Sequence, residues 1–237
     1  MRGLHKVIIL LAVLLTAESS WAAKPKLLVY VPTNITVREF QTRLQGQLPD
    51  LEIRAYGRIK DFERAIKSEN PDALLSYPVV LESQSIARTA QGERRGSPED
   101  NYVLVTLEKP LVLETLDGAT IGVLDLLGRK RMPSLVSGIV GAPGKPKLKR
   151  VKRPEDLLSL LLLDMADSIL VPERLVAELK KSSGTNLVTT QLRGKSLTLP
   201  SLGIITAGSS SKLIAEALNE LDSQTKMAMG VDTWLQL

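Results

Sequence analysis

The stretch Lys26–Phe40, KLLVYVPTNITVREF, constrains the fold more than any other part of the chain. Leu27, Leu28, Val29, Tyr30 and Val31 form an unbroken apolar, β-prone run of the kind buried on both faces of a sheet. Pro32, Thr33 and Asn34 interrupt it with turn chemistry. Thr36 and Glu39 follow at capping-box spacing, where a hydroxyl accepts from a free amide and a carboxylate reaches back. Val37, Phe40 and Leu44 then recur at helical intervals. The stretch predicts strand, polar loop and capped helix. In open α/β sheets, ligands collect at the carboxyl ends of such strands.

The same rhythm returns along the chain. Leu51–Tyr56 alternates as a strand, and Ile59, Phe62, Ala65 and Ile66 mark a helix that ends before Asn70-Pro71. Asp72–Ser76 reads as a buried strand, with Pro78 opening a helix that runs through Ile86 and Ala90. Gly92–Asn101 is polar and turn-rich, an expected exposed loop, and Tyr102–Leu107 is a fourth strand. Short connections in β-α-β-α-β order imply a parallel sheet covered on both faces. After a connecting passage at Lys109–Asp117, strands are expected at Ala119–Leu124, Lys147–Val151 and Asp167–Val171. Helices are expected at Pro133–Val140, after Pro154, and from Pro172 to Lys181, the last ended by Gly184. Asn186–Leu192, Ser196–Leu199 and Leu202–Thr206 read as further strands, followed by a helix capped by Ser209–Ser211 and an amphipathic stretch at Lys226–Leu235. Returning the last strand-helix unit to the first lobe gives two α/β lobes around a cleft. Residues 23–112 with 202–237 form one, residues 113–201 the other, and the chain crosses near Lys109–Thr115 and Leu199–Leu202.

Residues 1–22 read as a cleavable signal peptide. Arg2 and Lys6 precede the apolar run Val7–Leu15, and Ser20-Trp21-Ala22 supplies small residues at both flanks of a cleavage point. The chain has no cysteine, and its single histidine, His5, lies in that segment. The mature chain thus lacks the usual zinc and copper ligands, every Ser-His or Cys-His pair and the commonest acid-base residue. No cofactor, metal or enzymatic activity is expected. Without Arg2, Lys6 and Glu18, the 31 basic and 26 acidic side chains become 29 and 25. That excess is too small to argue for a nucleic-acid partner.

Taken in order, several stretches resemble type 2 periplasmic solute-binding proteins of ABC transporters, nearest the phosphate/phosphonate-type branch. They are VPTN at Val31–Asn34, FERAIKSENPDALLSYP at Phe62–Pro78, LDGATIGV at Leu116–Val123, RPEDLLSLLLLDMADSILVPE at Arg153–Glu173, and LGIITAGSSSKLIAEALNEL at Leu202–Leu221. The resemblance implies a two-lobed α/β fold with a central cleft and two hinge crossings. It also implies a periplasmic, monomeric protein that captures a small, anionic, phosphonate- or phosphate-like ligand for an ABC permease. The alternative is an extracytoplasmic sensory or accessory module of the same fold, contacting a receptor or sensor kinase.

The candidate ligand contacts sit at strand ends and each has a structural reading beside it. Thr33 and Asn34 either bind solute or make the turn and cap. Tyr56 and Arg58 follow the second strand; Arg58 either clamps an anion or is a solvated arginine. Ser76 and Tyr77 end the third strand. Ser134, Ser137 and Gly138 either face the cleft from the second lobe or cap and pack their helix. The basic run from Lys145 to Arg153 either docks on an anionic surface or partner, or protects an edge strand. Ser209 to Lys212 matches S-x-x-K without its companion triplets, so a capped helix explains it.

Overall fold

The computed structural model describes residues 24–194, 196–206 and 209–237. The signal peptide expected over residues 1–22 lies outside the described residues. Among those that are described, no helix is long and apolar enough to cross a membrane.

The first lobe opens as expected, with β1 (Lys26–Tyr30), α1 (Val37–Gln47), β2 (Glu52–Ala55), α2 (Ile59–Glu69) and β3 (Ala73–Ser76). β1 lies between β2 and β3 and is parallel to both. Leu27, Leu28 and Val29 are fully buried there, which is why the run is apolar without alternation. The helix at Pro78 is a single turn, α3 (Pro78–Glu82), and does not extend through Ile86 and Ala90. Ser85 takes a left-handed φ of 60°, turning the chain into β4 (Arg88–Glu93), where Ala90 and Gln91 are buried in the sheet.

The first crossing also differs from the sequence expectation. It is made by β5 (Glu99–Asp100), not by Lys109–Thr115, and the strand at Tyr102–Leu107, β6, belongs to the second lobe. The GERRGSPEDN stretch hides this hinge because a two-residue strand leaves no periodic trace. The second lobe continues with β7 (Thr120–Leu124), α4 (Gly128–Val140), β8 (Lys147–Val151), α5 (Glu155–Leu162), β9 (Ser168–Pro172), α6 (Val176–Ser183) and β10 (Leu187–Gln191). Its sheet order is β10-β6-β9-β7-β8.

The chain returns through β11 (Leu197–Thr198), which pairs antiparallel with β5 to make a separate two-stranded hinge. β12 (Ser201–Ile204) then enters the first sheet antiparallel to β3 and β4. α7 (Ser209–Glu220) and α8 (Ser223–Ala228) lead to β13 (Thr233–Gln236), so the last amphipathic stretch is a helix plus an edge strand. The first sheet reads β13-β4-β12-β3-β1-β2. Buried polar groups lace the hinge: Gln91 Nε2 donates to Leu199 O at 3.0 Å, and Ser201 Oγ to Gln91 Oε1 at 2.8 Å.

One apolar cluster runs from β1 and α2 through the hinge residues Leu197 and Leu199 to Ile121, Val136 and Leu170 of the second lobe. A smaller one, including Val103, Val105, Leu157 and Ile169, fills the opposite face of the second sheet. Phe62 is fully buried in the first, its ring centroid 5.5 Å from Tyr30 and 5.9 Å from Tyr56. Phe62→Ala is expected to lower unfolding free energy by about 3–5 kcal/mol. Phe62→Leu should cost far less; equal midpoints for parent and Ala variant in urea titrations would contradict this packing.

Candidate functional site

At the end of β1 the loop is held by its own side chains. Thr33 Oγ1 donates to Ile35 O at 3.0 Å, and Thr36 Oγ1 accepts from the Glu39 amide at 3.2 Å, capping α1. Glu39 uses its carboxylate on Arg43 Nη2 at 2.7 Å, so only one half of the capping box is built by these contacts.

The two lobes meet at the residue that ends β1. The Tyr30 hydroxyl donates to Asp125 O at 2.6 Å, across the cleft from β1 to the end of β7. Arg131 on α4 pairs with Glu63 on α2. Asp125 is itself placed by two donors, the Gly128 amide at 2.8 Å and Arg150 Nη1 at 2.7 Å. Burial, with the nearby Asp125 adding to it, raises the Tyr30 phenol far above its usual value. Behind these contacts a cavity of about 50 Å³ remains, lined by Tyr30, Thr33, Tyr56 and Gly57 from the first lobe and Lys152 and Arg153 from the second. Val37, the first residue of α1, also faces it.

The candidate contacts read from the sequence do not converge on one site. Thr33 and Tyr56 line the cavity, Tyr56 with its ring while its hydroxyl donates to Glu69 Oε1 at 2.9 Å. Asn34 is exposed and lines a different opening of about 370 Å³ beside Pro154, Leu157 and Leu158. The Arg58 side chain is exposed, while its carbonyl accepts from the Asp61 and Phe62 amides at the start of α2. Ser76 is fully buried and donates to Tyr30 O at 2.6 Å, tying β3 to β1. Tyr77 is buried at the hinge, close to the ion pair of Arg174 Nε and Asp100 Oδ2 at 2.6 Å.

Ser134, Ser137 and Gly138 lie on the exposed flank of α4, along a groove shared with Lys145 and Leu148. The reason is the start of that helix. It begins at Gly128 rather than Pro133, so the Asp125–Gly128 end meets the first lobe and the serines ride on the helix body. The sequence reading missed Tyr30, Asp125, Lys152 and Arg153. Tyr30 was hidden as one more apolar strand residue, and Lys152 and Arg153 within the basic run. Among the described residues no group of three or more histidine, aspartate or glutamate side chains is placed to hold a metal ion.

No family model matches the chain, and neither does any curated protein. Solved structures do. Arginine-bound ArgBP from T. maritima, as a point mutant, superposes with a TM-score of 0.55 at 14% identity, covering 83% of this chain and 96% of that one. The Bordetella pertussis BvgS VFT2 domain gives 0.52 at 14% identity, over 86% and 91% of the two chains. AbpA from Streptococcus pneumoniae, an amino acid ABC transporter substrate-binding protein bound to L-arginine, gives 0.56 at 9% identity over 87% and 95%. The chain has the two-lobed α/β fold of periplasmic binding proteins and Venus flytrap domains.

Burial first and then the Glu69 hydrogen bond push the Tyr56 phenol from 10.0 up to about 12. A group held neutral in this way stabilises the fold fully below its unfolded value and loses that contribution as pH rises through the folded one. Stability should therefore fall between pH 10 and 12, and Tyr56→Phe should make the decline of the urea midpoint shallower across that window. An unchanged slope would remove Tyr56 as its source.

Proposed function

We propose that this protein is an exported solute-binding protein that captures a small anion of phosphate or phosphonate size and presents it to an ABC permease. The observation that carries this reading is the cavity at the end of β1. One wall is largely apolar, with Val31, Ile35, Val37 and Phe40 beside Thr33, and lies at the start of α1, where the helix dipole favours negative charge. The opposite wall is Lys152 and Arg153. Arg153 is already paired with Glu155 and Asp156, whereas Lys152 has no ion pair among the described residues. A volume of about 50 Å³ suits a compact oxyanion or a few waters and falls well below the roughly 300 Å³ at which drug-sized ligand pockets begin. The absence of histidine and cysteine from residues 24–237 accords with binding rather than catalysis.

A ligand that binds only the folded form raises the melting temperature. Phosphate, phosphite and methylphosphonate are each expected to do so, by an amount that Lys152→Gln cuts at least by half. A shift with L-arginine or L-glutamate, and none with the oxyanions, would replace this reading by an amino-acid-binding one.

A second reading has its own support. Tyr30 to Asp125, Glu63 to Arg131, and Asp100 to Arg174 join the lobes or their hinge directly. Direct contacts between the lobes suit a sensory or accessory module read by a receptor, and the fold likeness includes the BvgS periplasmic domain. Removing both cleft contacts with Tyr30→Phe and Glu63→Gln should increase the radius of gyration in X-ray scattering. If a saturating oxyanion then restores the compact form, solute capture governs closure. If it does not, the sensory reading takes its place.

A further inference from the structure

β8 ends the second sheet, and among the described residues no strand pairs with its outer edge. Its inner edge bonds β7: the Lys147 amide donates to Ala119 O at 2.8 Å, and Val151 O accepts from the Asp125 amide at 2.9 Å. In a parallel ladder alternate residues bond the same neighbour. The amides and carbonyls of Leu148 and Arg150 therefore face the open edge.

Side chains alternate as well. Leu148 and Arg150 lie on the α4 side of the sheet. Lys147 and Lys149 lie on the α5 side, since Lys149 is in register with Gly122, whose added Cβ would sit 3.0 Å from Leu160. Between the free edge and the outer flank of α4 runs a groove of about 660 Å³, lined by Pro133, Ser134, Ser137, Lys145, Pro146 and Leu148. Lys145–Arg153, KPKLKRVKR, has six cations and no acid. Arg150 is paired with Asp125 and Arg153 with Glu155 and Asp156, but Lys145, Lys147 and Lys149 have no ion pair among the described residues.

We propose that the free edge of β8 and its groove form a docking site for an extended acidic segment of a partner protein, which adds to the second sheet as a further strand. The main chain would meet Leu148 and Arg150, acidic side chains would face Lys147 and Lys149, and alternate small apolar side chains would enter the groove beside Ser134 and Ser137. Edge lysines repel neutral association and a second copy of this chain, whose own β8 carries the same charges, while an acidic strand is attracted. The occupant is thereby selected by charge. The site is separate from the cleft and serves a permease, a receptor or another partner alike.

The test is fluorescence anisotropy with a labelled peptide alternating glutamate and valine. Controls are the same peptide N-methylated at every second amide, and one carrying lysine for glutamate. The glutamate peptide should saturate, with affinity falling as salt rises, and both controls should bind at least about tenfold more weakly. The double variant Lys147→Glu with Lys149→Glu should lose at least about tenfold while its melting temperature stays near that of the parent, since neither lysine is ion-paired. Equal binding of the N-methylated peptide would overturn strand addition in favour of simple charge adsorption. Absence of saturable binding to the glutamate peptide would also overturn it. Phosphatidylglycerol vesicles captured in that case, and released by the double variant, would assign the basic edge to a membrane surface.

Discussion

The phenol of Tyr30 is the contact on which the arrangement of the two lobes depends. The main-chain carbonyl of the same residue accepts the Ser76 hydroxyl, so the third strand is fixed to the first at its carboxyl end. Its ring stacks on Phe62, which seats α2 on the same strand. Its hydroxyl crosses to Asp125 O in the second lobe. A single residue thus joins sheet, helix and opposing lobe. The Ser76 bond is fully buried, where an unpaired polar atom costs more than the bond gains.

Asp125 completes the constraint from the other side. Its carboxylate holds the first turn of α4 through the Gly128 amide and holds β8 through Arg150. Displacing Tyr30 from the Asp125 carbonyl therefore disturbs the start of a helix and the neighbouring strand together. The cavity that remains is small because these contacts bring the strand ends together. Its charge comes from Lys152 and Arg153, which immediately follow β8, so strand pairing in the second lobe also sets the electrostatics facing the first.

Much of the scaffold was legible in the sequence. The run Leu27–Val31, the cap at Thr36 and the stripe Ile59, Phe62, Ala65 carry enough local pattern to place β1, α1 and α2. The first hinge strand was not legible, because Glu99–Asp100 spans two residues in a polar stretch and shows no period; the return strand was read at Ser196–Leu199, but not its pairing with β5. The cleft was less legible still. Tyr30 and Asp125 are 95 residues apart, and neither differs locally from an ordinary strand residue or turn aspartate. Ser134 and Ser137 were read one helix turn too close to the cleft because Pro133 resembles a helix start, although the helix accommodates it internally.

The apolar cluster that continues from the first lobe through Leu197 and Leu199 into the second has a consequence for how the cleft opens. Ile59 lies against Gly128 across the lobe boundary, so separating Tyr30 from Asp125 also wets hydrocarbon. Wetting apolar surface raises heat capacity. The free energy of opening is then curved in temperature, with a maximum, and the open form becomes more populated on either side of it. Cooling as well as warming loosens the cleft, and a solute that enters only the open form gains access at both extremes.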